Sequence, residues 1–265
     1  MLKKRLIFTL LYDDGFFVLS RNFHRQRVGD IAWLEKNYNF SNIAKYIDEL
    51  VVLDISNRER DIERFQNVLK KLCRFCFIPL AAGGGVSCMA DAARLFDAGA
   101  DKIVVNSGLF VDSEIVDKMA SVFGQQAIVG SVDVKSDAAG RKKIRYRNGS
   151  LPAPVDLVNL HQYPSIQSIG EIYLNSMDQD GTGQGLDLSL VDALGADFGK
   201  PIILAGGVGN ASHLRVGLEN KHVDAVATAN LFNFIGDGFV KARRSLIDSG
   251  LPLPIGIFDD DELEG

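Results

Sequence analysis

The chain has 265 residues, 46% hydrophobic and 24% charged, a balance that excludes a disordered or fibrous protein. Its formal charge of −5 argues against a general nucleic-acid surface, which needs a basic patch to neutralise phosphates. No apolar run nears the roughly 18 residues required to cross a bilayer, so neither nucleic acid nor membrane is expected as a partner.

The opening MLKKRLIFTLL imitates an export signal, but its apolar run stops at Tyr12-Asp13-Asp14 and no small-residue cleavage site follows. It reads as a first strand, residues 5–11, in a cytoplasmic protein. A long loop from Asp14 to Asp30 then carries Arg21, His24, Arg25 and Arg27. Further short runs rich in Val, Ile and Leu predict strands at 49–54, 77–82, 102–106, 126–133, 170–175, 201–205 and 224–228, eight in all with the first. Between them, Met89 to Ala98 is amphipathic and closed by Gly99, and Glu114 to Phe123 sets Ile115, Met119 and Val122 on one helical face. After the fifth strand, Arg141 to Arg147 ahead of Asn148-Gly149 alternates like one arm of a small hairpin, by default a solvated charged one and alternatively a lid or anion contact over the barrel mouth. The tail Asp259 to Gly265 reads as a flexible acidic end to a single domain spanning 1–265.

Alternating strands and helices on a chain of this length predict an α/β fold, a closed (β/α)8 TIM barrel. An open doubly wound sheet is disfavoured because no GxGxxG follows the first strand. Internal similarity strengthens the barrel reading. Pro79-Leu-Ala-Ala-Gly-Gly-Gly-Val86 lies over Pro201-Ile-Ile-Leu-Ala-Gly-Gly-Val208 at an offset of 201 − 79 = 122, and Leu109-Phe110 falls on Leu231-Phe232. Val51 to Asp54 falls on Ile172 to Asn175 at 121. Two repeated half-barrels are the expected architecture.

Three cysteines are too few for a disulfide framework, and Cys73-x-x-Cys76 with Cys88 lacks a nearby fourth zinc ligand. They read as buried reduced thiols. His24, His161, His213 and His222 show no ligand spacing and read as surface or helix residues; neither metal nor cofactor is expected. Chemistry in such barrels sits on the loops after the strands, where glycine-rich turns hold phosphate. Gly84 and Gly85 after strand three and Gly206 and Gly207 after strand seven form such turns, flanked by Asn106-Ser107 and Ala229-Asn230. Two cradles imply a ligand with phosphate at both ends. The loop Ser176 to Gly185, with Asp178, Asp180, Gly181 and Thr182, is dense in groups that bind hydroxyls and phosphate. Asp133 ends strand five, where a carboxylate serves as a general acid or base or else caps a helix or pairs with Lys135, and its repeat mate, 133 − 122 = 11, is Leu11.

With the triple glycine, the SMDQDGT loop, the paired halves and the Asp133 rim together, the chain resembles the cyclase subunit of imidazole glycerol phosphate synthase, HisF, from MLKKRLI to about Phe234. The resemblance implies a TIM barrel that receives ammonia from a HisH-like glutaminase docked on its bottom face and reacts it at the top with a bis-phosphorylated ribonucleotide. It implies a proton-transfer pair of which Asp133 matches one member and Leu11 the other. It implies phosphate contacts at Gly84, Gly85, Asn106, Ser107, Gly181, Gly206, Gly207 and Asn230. Arg5, Glu49, Lys102 and Glu171 match the family's ammonia gate, and Asp101 matches a position that contacts the glutaminase. A lysine of the family falls on Leu19. Leucine at the end of strand one resembles paralogues of surface-polysaccharide pathways, in which ammonia goes to a sugar amidotransferase. Three readings follow: an ammonia-delivering barrel subunit, a histidine-pathway cyclase using Asp133 with Asp13 or Asp14, and a phosphate-sugar-binding barrel without such a partner.

Overall fold

The computed structural model describes residues 3–37, 44–57, 60–195, 198–229 and 238–254. Twelve strands are present among them: β1 (Arg5–Asp13), β2 (Phe16–Arg21), β3 (His24–Gly29), β4 (Glu49–Asp54), β5 (Leu80–Gly83), β6 (Lys102–Val105), β7 (Ile128–Ser136), β8 (Lys142–Tyr146), β9 (Leu151–Pro152), β10 (Glu171–Ser176), β11 (Ile202–Ala205) and β12 (Ala225–Thr228). Eight of these pair in parallel in the order β1-β4-β5-β6-β7-β10-β11-β12, and β12 pairs back to β1, so the sheet closes. The helices are α1 (Ile31–Asn37), α2 (Ile62–Phe75), α3 (Met89–Asp97), α4 (Ser107–Val111), α5 (Ser113–Phe123), α6 (Pro164–Gln167), α7 (Ser189–Leu194), α8 (Ala211–Glu219) and α9 (Gly238–Asp248). Each barrel strand is followed by at least one of them, as parallel neighbours require of their crossovers. The (β/α)8 barrel expected from the sequence is the fold.

Alternation along each strand divides the apolar residues into two cores. On β1, Leu6, Phe8 and Leu10 face outward into the layer between sheet and helices, where Phe8 meets Phe239 of α9 edge-on at 5.1 Å. Ile7 faces inward with Val51, Ala81, Val104, Val129, Tyr173, Ile203 and Ala225, a separate cluster that fills the barrel's waist. Helix starts follow local chemistry: Asp61, Asp112 and Asn210 each accept a hydrogen bond from the backbone N–H three residues on, capping α2, α5 and α8.

The repeat is visible in the elements themselves. β5 shifted by 122 falls on β11, and β4 shifted by 122 falls on β10 with an identical pattern of burial. The offset of 121 read for β4 is therefore one residue short. Val51 and Tyr173 both face the interior, and 173 − 51 = 122; a slip of one would exchange the two faces of the strand. In each half the first strand runs on into an antiparallel excursion, β2–β3 after β1 and β8–β9 after β7. The second was expected as a single arm; the first was expected as a plain loop.

Other differences are local. Strand three begins at Leu80, and Phe77, expected inside it, is 92% exposed at the barrel's lower end. On α5 the buried positions are Val116 and Met119, while Val122 faces solvent. Of the cysteines only Cys76 is buried, its thiol pushed up to about 12 by that burial; Cys73 is half-buried and Cys88 is exposed at the start of α3. Among the described residues no helix is long and apolar enough to cross a membrane, and no group of three or more His, Cys, Asp or Glu is placed to hold a metal ion. The acidic tail and the repeat mates Leu231-Phe232 lie outside the described residues.

Candidate functional site

Strand polarity gives the barrel two chemically distinct ends. At the N-terminal end the first inward position of four strands is charged, and the four side chains close a ring. Arg5 bonds Glu49 at 2.9 Å and Glu171 at 2.5 Å, and Lys102 bonds the same two carboxylates at 2.9 and 2.6 Å. The ring is neutral, which is what permits Glu49 to be only 2% exposed. Burial and the neighbouring Glu171 raise the Glu49 pKa against the pull of Lys102 and Arg5. Burial also acts on Glu171, but Arg5 and Lys102 outweigh it and hold that carboxyl below its usual value. Both lower-rim Oε2 bonds of Glu49 go to cations, while its Oε1 is buried without a partner. Glu49 and Glu171 are repeat mates, 171 − 49 = 122; Arg5 and Lys102 are not.

Asp101, expected at a partner interface, is exposed beside this ring, and its carboxylate accepts from the Leu80 N–H at 2.8 Å. Asp224 makes the matching bond to Ile202 N–H at 2.9 Å in the second half. Asp101 thus anchors the start of β5.

Above the ring lies the apolar waist, and above that Thr9 and Tyr173 share a hydrogen bond of 3.0 Å across the barrel. Burial holds the Tyr173 phenol well above its ordinary pKa, so it stays neutral. From there the barrel opens into a cavity of about 820 Å³ at the C-terminal end of the strands. Asp133 stands in its floor. Asn175 donates to its Oδ1 at 2.9 Å and Asn106 to its Oδ2 at 3.2 Å. Burial lifts its pKa to about 6; the two amides oppose the shift and the charge of Asp180 adds to it. A carboxyl so poised exchanges protons near neutral pH. The opposite side of the floor is apolar: Leu11 is paired with Leu53 of β4, and Leu19 of β2 lines the same cavity.

The two aspartates after Leu11, Asp13 closing β1 and Asp14 in the turn beyond it, do not fill that gap. Asp13 is held by Arg25 at 3.1 Å, Asp14 is half-exposed beside Arg64 at 3.9 Å, and neither lines the cavity. The reason is the β2–β3 hairpin: it continues β1 antiparallel and carries these residues away from the barrel axis.

Of the residues expected to contact phosphate, Gly84, Gly85, Asn106, Ser107, Asp180, Gly181, Gly206 and Gly207 all line the cavity. Gly84 has φ +121°, and a Cβ there would come within 2.2 Å of the Asp54 carbonyl. Asn106 spends its amide on Asp133 and the Ser131 carbonyl. The Asp180 carboxylate accepts from the Ser20 hydroxyl at 2.5 Å and the Phe23 N–H at 3.0 Å, so it fastens the hairpin to the loop after β10. Thr182 is not a cavity wall; its hydroxyl donates to the Gln179 carbonyl. Asn230 lies outside the described residues.

Sequence reading left His24 and Arg60 out of the cavity, and for the Arg141–Arg147 arm it had a contact over the barrel mouth only as the alternative to a solvated hairpin. His24, expected at the surface or on a helix, lines the wall from β3. Arg60 reaches in from the loop after β4. The ribbon tip Arg147-Asn148 crosses the mouth, where Asn148 donates to Asn57 at 2.5 Å and the Arg147 N–H donates to Ser107 at 3.2 Å. Arg147 and Asn148 both have positive φ, the signature of a tight hairpin turn that Asn148-Gly149 already hinted at.

Comparison with known proteins agrees with this geometry. The model of the histidine biosynthesis protein family matches residues 17–236. The protein named "Putative imidazole glycerol phosphate synthase subunit hisF2" from Parasynechococcus marenigrum (strain WH8102) is 46% identical over 244 residues, covering 92% of this chain and 90% of that protein. A barrel closed from two half-barrels, with glycine turns and a rim carboxylate at one end, is thus matched along nearly its whole length, and the chain belongs to the histidine biosynthesis protein family as a HisF-like barrel.

Proposed function

We propose that the chain is the barrel subunit of a glutamine amidotransferase complex. It takes ammonia from a HisH-like glutaminase on its bottom face, passes it along the barrel axis, and delivers it to a sugar amidotransferase of a surface-polysaccharide pathway rather than to a cyclisation of its own. The observation that carries the reading is the contrast between the two ends. The four-charge ring keeps all its contacts, while Leu11 faces Asp133 where proton transfer needs a second polar group. The apolar waist supports it further, since neutral ammonia crosses such a layer at far lower cost than an ammonium ion. The phosphate cradles at the top then hold an anionic ligand without converting it.

The test is an ammonia-dependent cyclisation assay with the bis-phosphorylated ribonucleotide and ammonium salt. The expected result is turnover lower by roughly 10²–10⁴-fold than a proton-transfer pair supports, the cost of losing one general acid or base. Gain of turnover in Leu11→Asp combined with Leu19→Lys would assign the loss to these two side chains. Normal turnover by the unaltered chain sinks the proposal in favour of a histidine-pathway cyclase. Failure of any glutaminase to copurify favours a phosphate-sugar-binding barrel.

A further inference from the structure

In the waist of the barrel the repeat sets aliphatic residues against aliphatic ones, with one exception. Ile7 and Val129 are repeat mates, as are Ala81 and Ile203, but the mate of Val51 is Tyr173. Ala81, Ala205, Ala225 and Ala227 line the same bore and leave the width that a phenol ring needs. β11 and β12 stand between β10 and β1, so the bond of 3.0 Å from Tyr173 to Thr9 is a chord across the bore, not a contact between neighbouring strands. Both side chains are buried and both border the cavity, which makes the pair the boundary between waist and cavity.

Two hydroxyls that bond one another use one proton and one lone pair between them, so a second proton and further lone pairs remain for a third group. The backbones on either side are already paired in the parallel ladder. A molecule that donates and accepts at once completes the set. Ammonia does so, giving an N–H to one hydroxyl oxygen and taking an O–H on its lone pair, whereas ammonium has no lone pair and can only donate. Water has the same capacity, but the nitrogen of ammonia is the stronger acceptor, and a phenol of ordinary pKa about 10 is a better donor than an alcohol. Burial keeps this phenol neutral, so it holds no charge that would trap ammonium.

We infer that Tyr173 and Thr9 form a station for a single molecule of neutral ammonia, held between the two hydroxyls where the waist meets the cavity, with the phenol ring closing the bore behind it. The two are selectivity residues for the passage proposed above, and the inference rests on that reading.

The test uses the full chain with tyrosine isotopically labelled at Cζ, whose resonance reports the bonding of the hydroxyl. Tyr173 is assigned by the signal lost in Tyr173→Phe. Ammonium chloride is titrated at two pH values between which the neutral fraction rises several-fold. Both lie above the titration of Asp133, which with Asp180 supplies the charge acting on Tyr173. The expected result is a saturable shift of Tyr173 that follows neutral ammonia and not total ammonium. Tyr12, whose hydroxyl is buried without a partner on the outer side of β1, is expected not to respond. Thr9→Val is expected to weaken the response roughly twofold to tenfold, the range for one neutral hydrogen bond. Thr9→Ser, which copies the repeat mate Ser131, is expected to keep it. A silent Tyr173, a shift that tracks total ammonium, an equal shift at Tyr12, or unchanged affinity in Thr9→Val each overturns the inference; if Thr9→Val does not fold, the first three still decide. A silent Tyr173 in a chain that copurifies its glutaminase sinks the station alone, whereas a responding Tyr173 in a chain without a glutaminase keeps the station and sinks the passage.

Discussion

The two ends of this barrel solve opposite problems with the same strands. At the bottom, four charged side chains converge and every charge finds two partners of opposite sign; at the top, the carboxylates are met by amides and hydroxyls. The first arrangement is a mutually dependent ring, in which each member is tolerated because of the others. The second leaves one carboxyl with a raised pKa facing an apolar wall, so charge there is available rather than spent. The difference separates charges that satisfy one another from a charge left available, within a single fold.

Breaking the ring is expected to have the largest effect. Lys102→Met leaves Glu49 and Glu171 sharing Arg5 alone and is expected to cost about 3 kcal/mol of stability by urea unfolding at pH 7. The sign with pH follows from linkage. Without Lys102 the folded-state pKa values of both glutamates rise, so the deficit is smallest below the ordinary carboxylate range and grows as pH rises through the new values. A loss of a few tenths of a kcal/mol, flat with pH, would show that the ring's charges are not interdependent. Phe77→Glu, on the same face, is expected to leave stability within about 0.5 kcal/mol, because the side chain is 92% exposed, while reducing glutaminase copurification.

What the sequence disclosed of these two ends differs for physical reasons. The eight strands were legible because parallel strands buried on both faces are continuous Val, Ile and Leu runs, and the glycine turns because a repeat displayed them twice. The β2–β3 hairpin was not: its β3 arm is mostly polar, its register shifts between Phe17 and Val18, and no NG or DG pair marks its Asn22-Phe23 turn. The ring joins residues up to 166 apart and is invisible to any local pattern; only resemblance to a family assembled it. Asn106 and Asn175 bracket Asp133 from strands on either side of β7, a relation that barrel closure creates. The pairing of Leu11 with Asp133, by contrast, came directly from repeat arithmetic, and the bore residues Ile7 and Val129, Thr9 and Ser131 follow the same offset of 122.

At the top, Asp133→Asn sharpens the comparison with an effect of the opposite sign. The folded-state pKa of about 6 lies above the ordinary 3.8, so the wild-type fold is penalised once the carboxyl ionises, and that penalty develops as pH rises from about 4 through 6. The amide carries no such penalty. The variant is therefore expected to be more stable than wild type by about 2 kcal/mol at pH 7, with the gain shrinking towards zero near pH 4. Urea midpoints measured at both pH values check it; a variant less stable at pH 7 would mean that the two amide bonds to the carboxylate outweigh its burial.

The smallest effect is expected at the residues that a conventional cyclase would most need here. Asp14 is half-exposed and its contact with Arg64 is 3.9 Å, a pair of the kind worth well under 1 kcal/mol. Asp14→Asn is expected to shift stability by less than about 0.5 kcal/mol and to leave both phosphate binding and any residual cyclisation unchanged, since the hairpin turns the residue away from the cavity. Asp13→Asn loses the tighter contact to Arg25 on β3, so any effect should appear as loosening of the hairpin, read by amide exchange at Arg25 and Val18, and not at Asp133. A tenfold fall in cyclisation in either variant would bring that loop back into the chemistry. It would also mean that the hairpin rearranges when ligand binds, replacing the Leu11 side of the cavity with a carboxylate.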